Sequence, residues 1–134
     1  MSKRINISSG AKWEDIVGYS RAVRIGNIIE VAGTTAVDED GQLIGLDNPY
    51  EQTKFILAKI EKALIVAGAT LKDVIRTRIF VTDITRWEDV GRAHGEYFRE
   101  IKPVATMVEV NALIGPDLLV EIEVTAIITE NSKQ

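Results

Sequence analysis

What the chain lacks narrows it first. It has no cysteine, which excludes disulfides, thiolate nucleophiles and cysteine-ligated zinc. It has one histidine and no HExxH pair, too few ligands for a metal centre, so no metal is expected. Basic residues do not predominate: 16 Lys and Arg against 20 Asp and Glu give a net charge of −4. Bulk charge therefore recruits neither nucleic acid nor an acidic membrane. No apolar run is long enough to span a bilayer, and MSKRINISSG has no apolar signal core; a cytoplasmic location is expected. VGRAHGEYF and GLDNPYEQ lack P-loop and dinucleotide spacing, so no cofactor is expected. Ser8, Ser9 and Ser20 sit in no nucleophile elbow.

What is present is apolar material. Of 134 residues, 46% are hydrophobic and 27% charged, enough for one core and one domain spanning residues 1–134. Residues 3–7 alternate around Ile5 and Ile7, and SSGAKWEDIVG reads as loop. Ser20–Ile25 and Ile28–Thr35 read as strands joined by Gly26-Asn27, a two-residue hairpin signal. Asn48 as cap, Pro49 behind it and Glu51 three residues after the cap open a helix. Its stripe is Ile56, Ile60, Ala63, Leu64 and Ala67, and Gly68 ends it. Val74–Thr82 is a strand whose faces are Ile75, Thr77, Ile79, Val81 and Val74, Arg76, Arg78, Phe80. Thr85 to Glu88 reads as a capping box for a second helix, with the stripe Trp87, Val90, His94, Tyr97 and Phe98. Strands Val104–Val110 and Leu119–Ile128 follow. The order βββαβαββ suggests an α+β layer, with two helices on one face of a sheet.

The other face carries charge. Glu121 and Glu123 share one face of their strand, and Arg76 and Arg78 one face of theirs. If the strands are neighbours, opposite charges meet as cross-strand pairs. With Phe80, Met107, Leu119 and Ile127 beside them, and Glu109 in the strand between, this face is too apolar for free solvation and too charged for a dry core. A subunit interface fits. The alternative is a solvated face with surface ion pairs worth about 0–1 kcal/mol each.

Candidates for chemistry are few. Glu121, between Val120 and Ile122, can have a raised pKa and act on a water; the alternative is a structural pair with Arg76 or Arg78. His94, on the apolar stripe of the second helix, is either a satisfied core or interface residue or a proton carrier beside a cleft. Gly91 and Gly95 lie four apart in that helix, each costing roughly 1 kcal/mol relative to alanine. They serve close packing against the sheet, or they leave room for a ligand or a neighbouring subunit.

One pattern says more. KPVATMVEVNALIGPDLLVEIEVTAI resembles the signature of the RidA/YjgF family of reactive-intermediate deaminases, also known under the older name endoribonuclease L-PSP. GYSRAVRIGNIIEVAG and PYEQTKFILAKIEKALIVAGATLKDVIRTRIFVTD extend the resemblance over nearly the whole chain. It implies a chorismate-mutase-like α+β fold, with one mixed six-stranded sheet covered on one face by two helices. It also implies a homotrimer with a central barrel and small-molecule clefts between subunits. Deaminating members hydrolyse enamines and imines such as 2-aminoacrylate, holding the substrate carboxylate with an arginine. Ala105 stands at that position, so the bidentate contact is absent there. Met107 stands where many deaminases have cysteine, Gly91 where they have asparagine, and His94 where they have an aromatic residue. Glu121 matches the glutamate that positions water, Tyr19 a tyrosine lining the cleft, and Gly33 a glycine whose N–H faces the ligand, with Thr34 after it.

Three readings follow: a deaminase for a different enamine or imine; a non-catalytic small-molecule-binding or accessory trimer; or a deaminase whose clamp comes from elsewhere, for example Arg21 or Arg24. A role on RNA is disfavoured, since no basic stripe or base-stacking platform is apparent. His94 and Glu121 are expected to line one pocket.

Overall fold

A computed structural model describes residues 3–129. Strand β1 (Arg4–Ile7) leads to a short helix α1 (Lys12–Val17), then β2 (Ala22–Ile25), β3 (Ile28–Thr34), α2 (Pro49–Val66), β4 (Val74–Val81), α3 (Trp87–Phe98), β5 (Val104–Glu109) and β6 (Val120–Ile127). The strands form one mixed sheet in the order β1-β2-β3-β6-β4-β5. Among the described strands only β4 and β5 run parallel, with α3 in the connection between them. The α+β architecture expected from the sequence is the one observed.

Alternation on β6 sets the layers. Val120, Ile122, Val124 and Ala126 are buried, and they pack with Ile56, Leu57, Ile60 and Leu64 of α2 in one apolar cluster. Glu121, Glu123, Thr125 and Ile127 point to the opposite face. The side chain of Asn48 accepts a hydrogen bond from the Glu51 N–H, Pro49 follows it, and Gly68 lies just past the helix end at φ +91°. The Gly26-Asn27 hairpin forms, with Ile25 opposite Ile28.

Five details depart from the sequence reading. The segment read as loop holds α1, closed by Gly18 at φ +91°, whose N–H bonds to the Glu14 carbonyl. Six residues are too few to show a helical period. The expected Thr85 box does not form: Asp83 caps a 3-10 turn (Ile84–Arg86), accepting from the Thr85 N–H, and α3 starts at Trp87. A register shift between Val74 and Arg76 turns Val74 inward and leaves Ile75 exposed, reversing the alternation there. Met107 lies beside Ile79, and it and Leu119 pack against the core rather than on the charged face. Strand β5 is an edge, not the strand between: β4 is the neighbour of β6, and Glu109 lies beside Val81 with its carboxylate on the Ile84 N–H at 3.0 Å.

Candidate functional site

The site begins with an irregularity in the sheet. Val31 pairs with Val124 and Thr34 with Ile122, so Ala32 and Gly33 together oppose Glu123. Such a bulge bends a strand and re-aims its neighbours. Here it brings the Gly33 backbone against the Glu121 side chain, and a Cβ on Gly33 would overlap the carboxylate. Gly33 is therefore needed for space, not for a left-handed backbone.

Glu121 is half-buried. It is not the structural pair with Arg76 or Arg78. Arg78 pairs with Glu123, at 3.3 Å, and Glu121 has no hydrogen-bond partner among the described residues. Neither oxygen is sealed off, since the described residues contain no unpartnered buried side-chain oxygen. Burial first, and then the like charge of Glu123, push its carboxyl above the usual carboxylate range, with Arg21 opposing. A carboxylate so placed can accept a proton from water and return it.

Three further residues gather here. Arg21 donates through Nη1 to the Gly33 carbonyl and to Thr34 Oγ1, both at 3.0 Å. Its guanidinium carbon lies 5.7 Å from the centre of the Tyr19 ring, within cation–π range. Thr34 is 1% exposed, and its hydroxyl donates to the Ala32 carbonyl at 2.8 Å. It therefore anchors Arg21 and is not open to a ligand. Arg24 serves elsewhere, donating to the carbonyls of Gly26 and Ala67 and so completing the C-terminal end of α2.

A second group forms on the helix-covered face. His94 shares a hydrogen bond of 2.9 Å with Thr77 Oγ1 and lies tilted against Phe98, with 4.7 Å between ring centroids. Burial lowers its pKa, so the imidazole is neutral near neutral pH. Ala105 lies beside Thr77 and Met107 beside Ile79. A Cβ on Gly91 or Gly95 would meet nothing closer than 3.6 Å. Close packing within the chain thus requires neither glycine.

A family model described as Endoribonuclease L-PSP matches residues 10–128. The chain is a member of that family, RidA/YjgF. The structure of Rv2704 from Mycobacterium tuberculosis, a member of the YjgF/YER057c/UK114 family, is 53% identical with a TM-score of 0.86, over 94% of this chain and all of that one. The uncharacterized protein SCO2049 of Streptomyces coelicolor is 40% identical over 120 residues, 90% of this chain and 89% of the relative. The 3-aminoacrylate deaminase RutC of Acinetobacter baylyi is 32% identical over 122 residues, 91% of this chain and 95% of the relative.

In this RidA/YjgF chain the expected site residues fall into two groups. Tyr19, Gly33 and Glu121 belong to the first, on the open sheet face and its bulge. Gly91, His94, Ala105 and Met107 belong to the second, across the sheet. One chain therefore does not bring His94 and Glu121 into one pocket. The alternation of β4 and β6 explains why: Glu121 pairs with Phe80, whereas His94 bonds to Thr77 on the other side of β4. The sequence reading missed Thr77, although a lone threonine between core-facing positions of a strand is a visible signal. A concavity of about 470 Å³ also lies on the open face, lined by Tyr19, Arg76, Arg78, Glu123 and others but not by Glu121. Among the described residues no cluster of three or more His, Asp or Glu is arranged to hold a metal, and no helix is long and apolar enough to cross a membrane.

Proposed function

We propose that the chain is a hydrolytic deaminase of a small enamine or imine other than 2-aminoacrylate. Its site forms between two copies of a homotrimer: one subunit supplies Tyr19, Gly33 and Glu121, and its neighbour supplies Gly91, His94, Ala105 and Met107. The observation that carries this is Glu121, a half-buried carboxylate open to solvent, with no partner among the described residues and a raised pKa. The register sets Glu121 opposite Phe80 and Arg78 opposite Glu123, so this carboxylate is not spent on an ion pair. The deaminase name of the Acinetobacter baylyi relative points the same way.

The chemistry is proton handling. Water gives a proton to Glu121 as its oxygen bonds to the iminium carbon. Glu121 passes that proton to the nitrogen of the carbinolamine. The C–N bond breaks and ammonia leaves. The hydroxyl proton returns to Glu121 and then to solvent, leaving a carbonyl. A carboxyl with a raised pKa suits both directions of transfer. His94, neutral at rest, is the second proton carrier; an enamine enters the same route after protonation on carbon.

The test is ammonia release from enzymatically generated imines, with Glu121→Gln as the control. Loss of about 100-fold or more in acceleration is expected for a general acid–base group. The second reading, a binding trimer without chemistry, is favoured by the small neutral side chain at Ala105. It prevails if a folded trimer accelerates no imine in the panel.

A further inference from the structure

Arg21 has a feature its anchoring does not use. A guanidinium carries five N–H donors. The two on Nη1 are accounted for by the Gly33 carbonyl and Thr34 Oγ1, each at 3.0 Å. Nε and Nη2 bond to no described residue, and neither is sealed from solvent. These two nitrogens form the side-on edge that receives a carboxylate bidentately. The side chain is half-buried and fixed at its far nitrogen, so less conformational freedom remains to be lost on binding. Its charge reaches Glu121, but it makes no direct ion pair among the described residues. The Gly33 peptide links them: its carbonyl receives Arg21 while its Cα lies against the Glu121 carboxylate.

Arg24 and Lys59, near the bulge, do not offer the same edge. Arg24 spends Nε and Nη1 on backbone carbonyls. Lys59 donates to the carbonyls of Thr35 and Val37. Arg76 and Arg78 sit instead with Glu123 in the concavity that Glu121 does not line, whereas Arg21 shares the Gly33 peptide with Glu121.

We propose that Arg21 holds the carboxylate of the substrate through its Nε/Nη2 edge, supplying from the Glu121 side of the cleft the contact that Ala105 cannot make. The substrate class is thereby a small imino or enamino monocarboxylate. The carboxylate lies close to the water that Glu121 orients, and the Tyr19 ring bounds the same side. This rests on the deaminase reading for its chemistry, but not for its binding.

The experiment uses matched probes on the full chain. An amino-acid oxidase makes the imino acid from leucine, and an amine oxidase makes the carboxylate-free imine from 3-methylbutylamine. The readout is the ratio of kcat/KM for the two imines. In Arg21→Gln the ratio is expected to fall about 10- to 100-fold, mainly through KM of the imino acid, as for loss of a charge-assisted bidentate contact. Arg21→Lys, which keeps the charge but not the fork, is expected to fall between. A ratio unchanged in Arg21→Gln, with both substrates slowed alike, overturns the proposal and leaves Arg21 a support for the bulge. Binding is measured separately with 4-methyl-2-oxopentanoate against 4-methyl-2-pentanone. If the natural chain turns over neither imine yet binds the oxo acid in an Arg21-dependent way, the deaminase reading fails and the carboxylate site stands. If it turns over imines with no Arg21-dependent preference, the carboxylate site fails alone. Thermal melting of each variant shows that it is folded, and Arg21→Lys carries the test if Arg21→Gln is not.

Discussion

Two glutamates show how differently one residue type can be used. Glu14 is 5% exposed and lies just beneath the surface. Its carboxylate accepts from Ser8 Oγ at 2.8 Å, from the Ser9 N–H at 3.1 Å and from Ser9 Oγ. Burial alone would raise its pKa, but the bonds from Ser9 and Ser8 together outweigh this and hold it below the ordinary 4.5. Its stabilisation is therefore full above pH 4.5 and is lost as pH falls through the lower folded value. Glu121 has the opposite sign. Its folded pKa lies above 4.5, so the native state binds the proton more tightly, and stability falls as pH rises from 4.5 through the folded value. Glu14→Gln is expected to lower stability at pH 7 by about 1–3 kcal/mol, because an amide donor then meets Ser9 donors. Glu121→Gln is expected to raise it. Both differences should shrink in urea titrations repeated below pH 4.5; a Glu121→Gln chain less stable than the natural one at pH 7 would mean that the carboxylate has a partner. Gly33→Ala extends the argument. The new methyl can enter only if the carboxylate turns aside, which is expected to cost about 0.5–1.5 kcal/mol in an off-rotamer side chain. In a Glu121→Ala background most of that cost should vanish, and a double-mutant cycle measures the difference.

At the level of elements, legibility followed length and punctuation. Helix α2 was readable because Asn48, Pro49 and Glu51 mark its start and Gly68 its end, around a long apolar stripe. Asn48→Ala should cost about 1 kcal/mol in thermal unfolding. Helix α1 was not readable, since six residues give no period and its support comes from Glu14 bonding back to Ser8 and Ser9. Irregularities in the strands were likewise invisible. The register shift at Ile75 reversed one alternation, and the bulge at Ala32 and Gly33 is what joins Gly33 to Glu121. The glutamate itself was legible from its place in an apolar strand; its lack of a partner was not, because that depends on which arginine registers with which carboxylate. Helix α3 gives the element-scale prediction. Gly91→Ala meets only ordinary contacts, at 3.8 Å and beyond, so the helix should gain up to about 1 kcal/mol. As Gly91 lines the proposed cleft, ammonia release should fall at the same time. A gain in melting temperature with unchanged activity would place Gly91 outside the site.

The whole molecule raises the question of what completes the site. The open sheet face presents Arg76, the Arg78–Glu123 pair and the half-buried Phe80, with Ile28 51% and Val104 57% exposed. Apolar area together with pairable charge is the composition of an interface rather than a solvated sheet. In the proposed trimer a second copy would bring Glu121 and His94 together from different subunits. Complementation tests this directly. Homotrimers of Glu121→Gln and of His94→Ala should each be impaired. In trimers refolded from an equal mixture, a site is whole when one subunit retains Glu121 and its neighbour retains His94. Each condition holds half the time under random assembly around a ring, so about one quarter of sites should be restored. Sites lying within one chain would regain nothing on mixing, because every chain carries a lesion. Full activity of the His94→Ala trimer alone would instead remove His94 from the chemistry and leave Glu121 to carry both proton transfers.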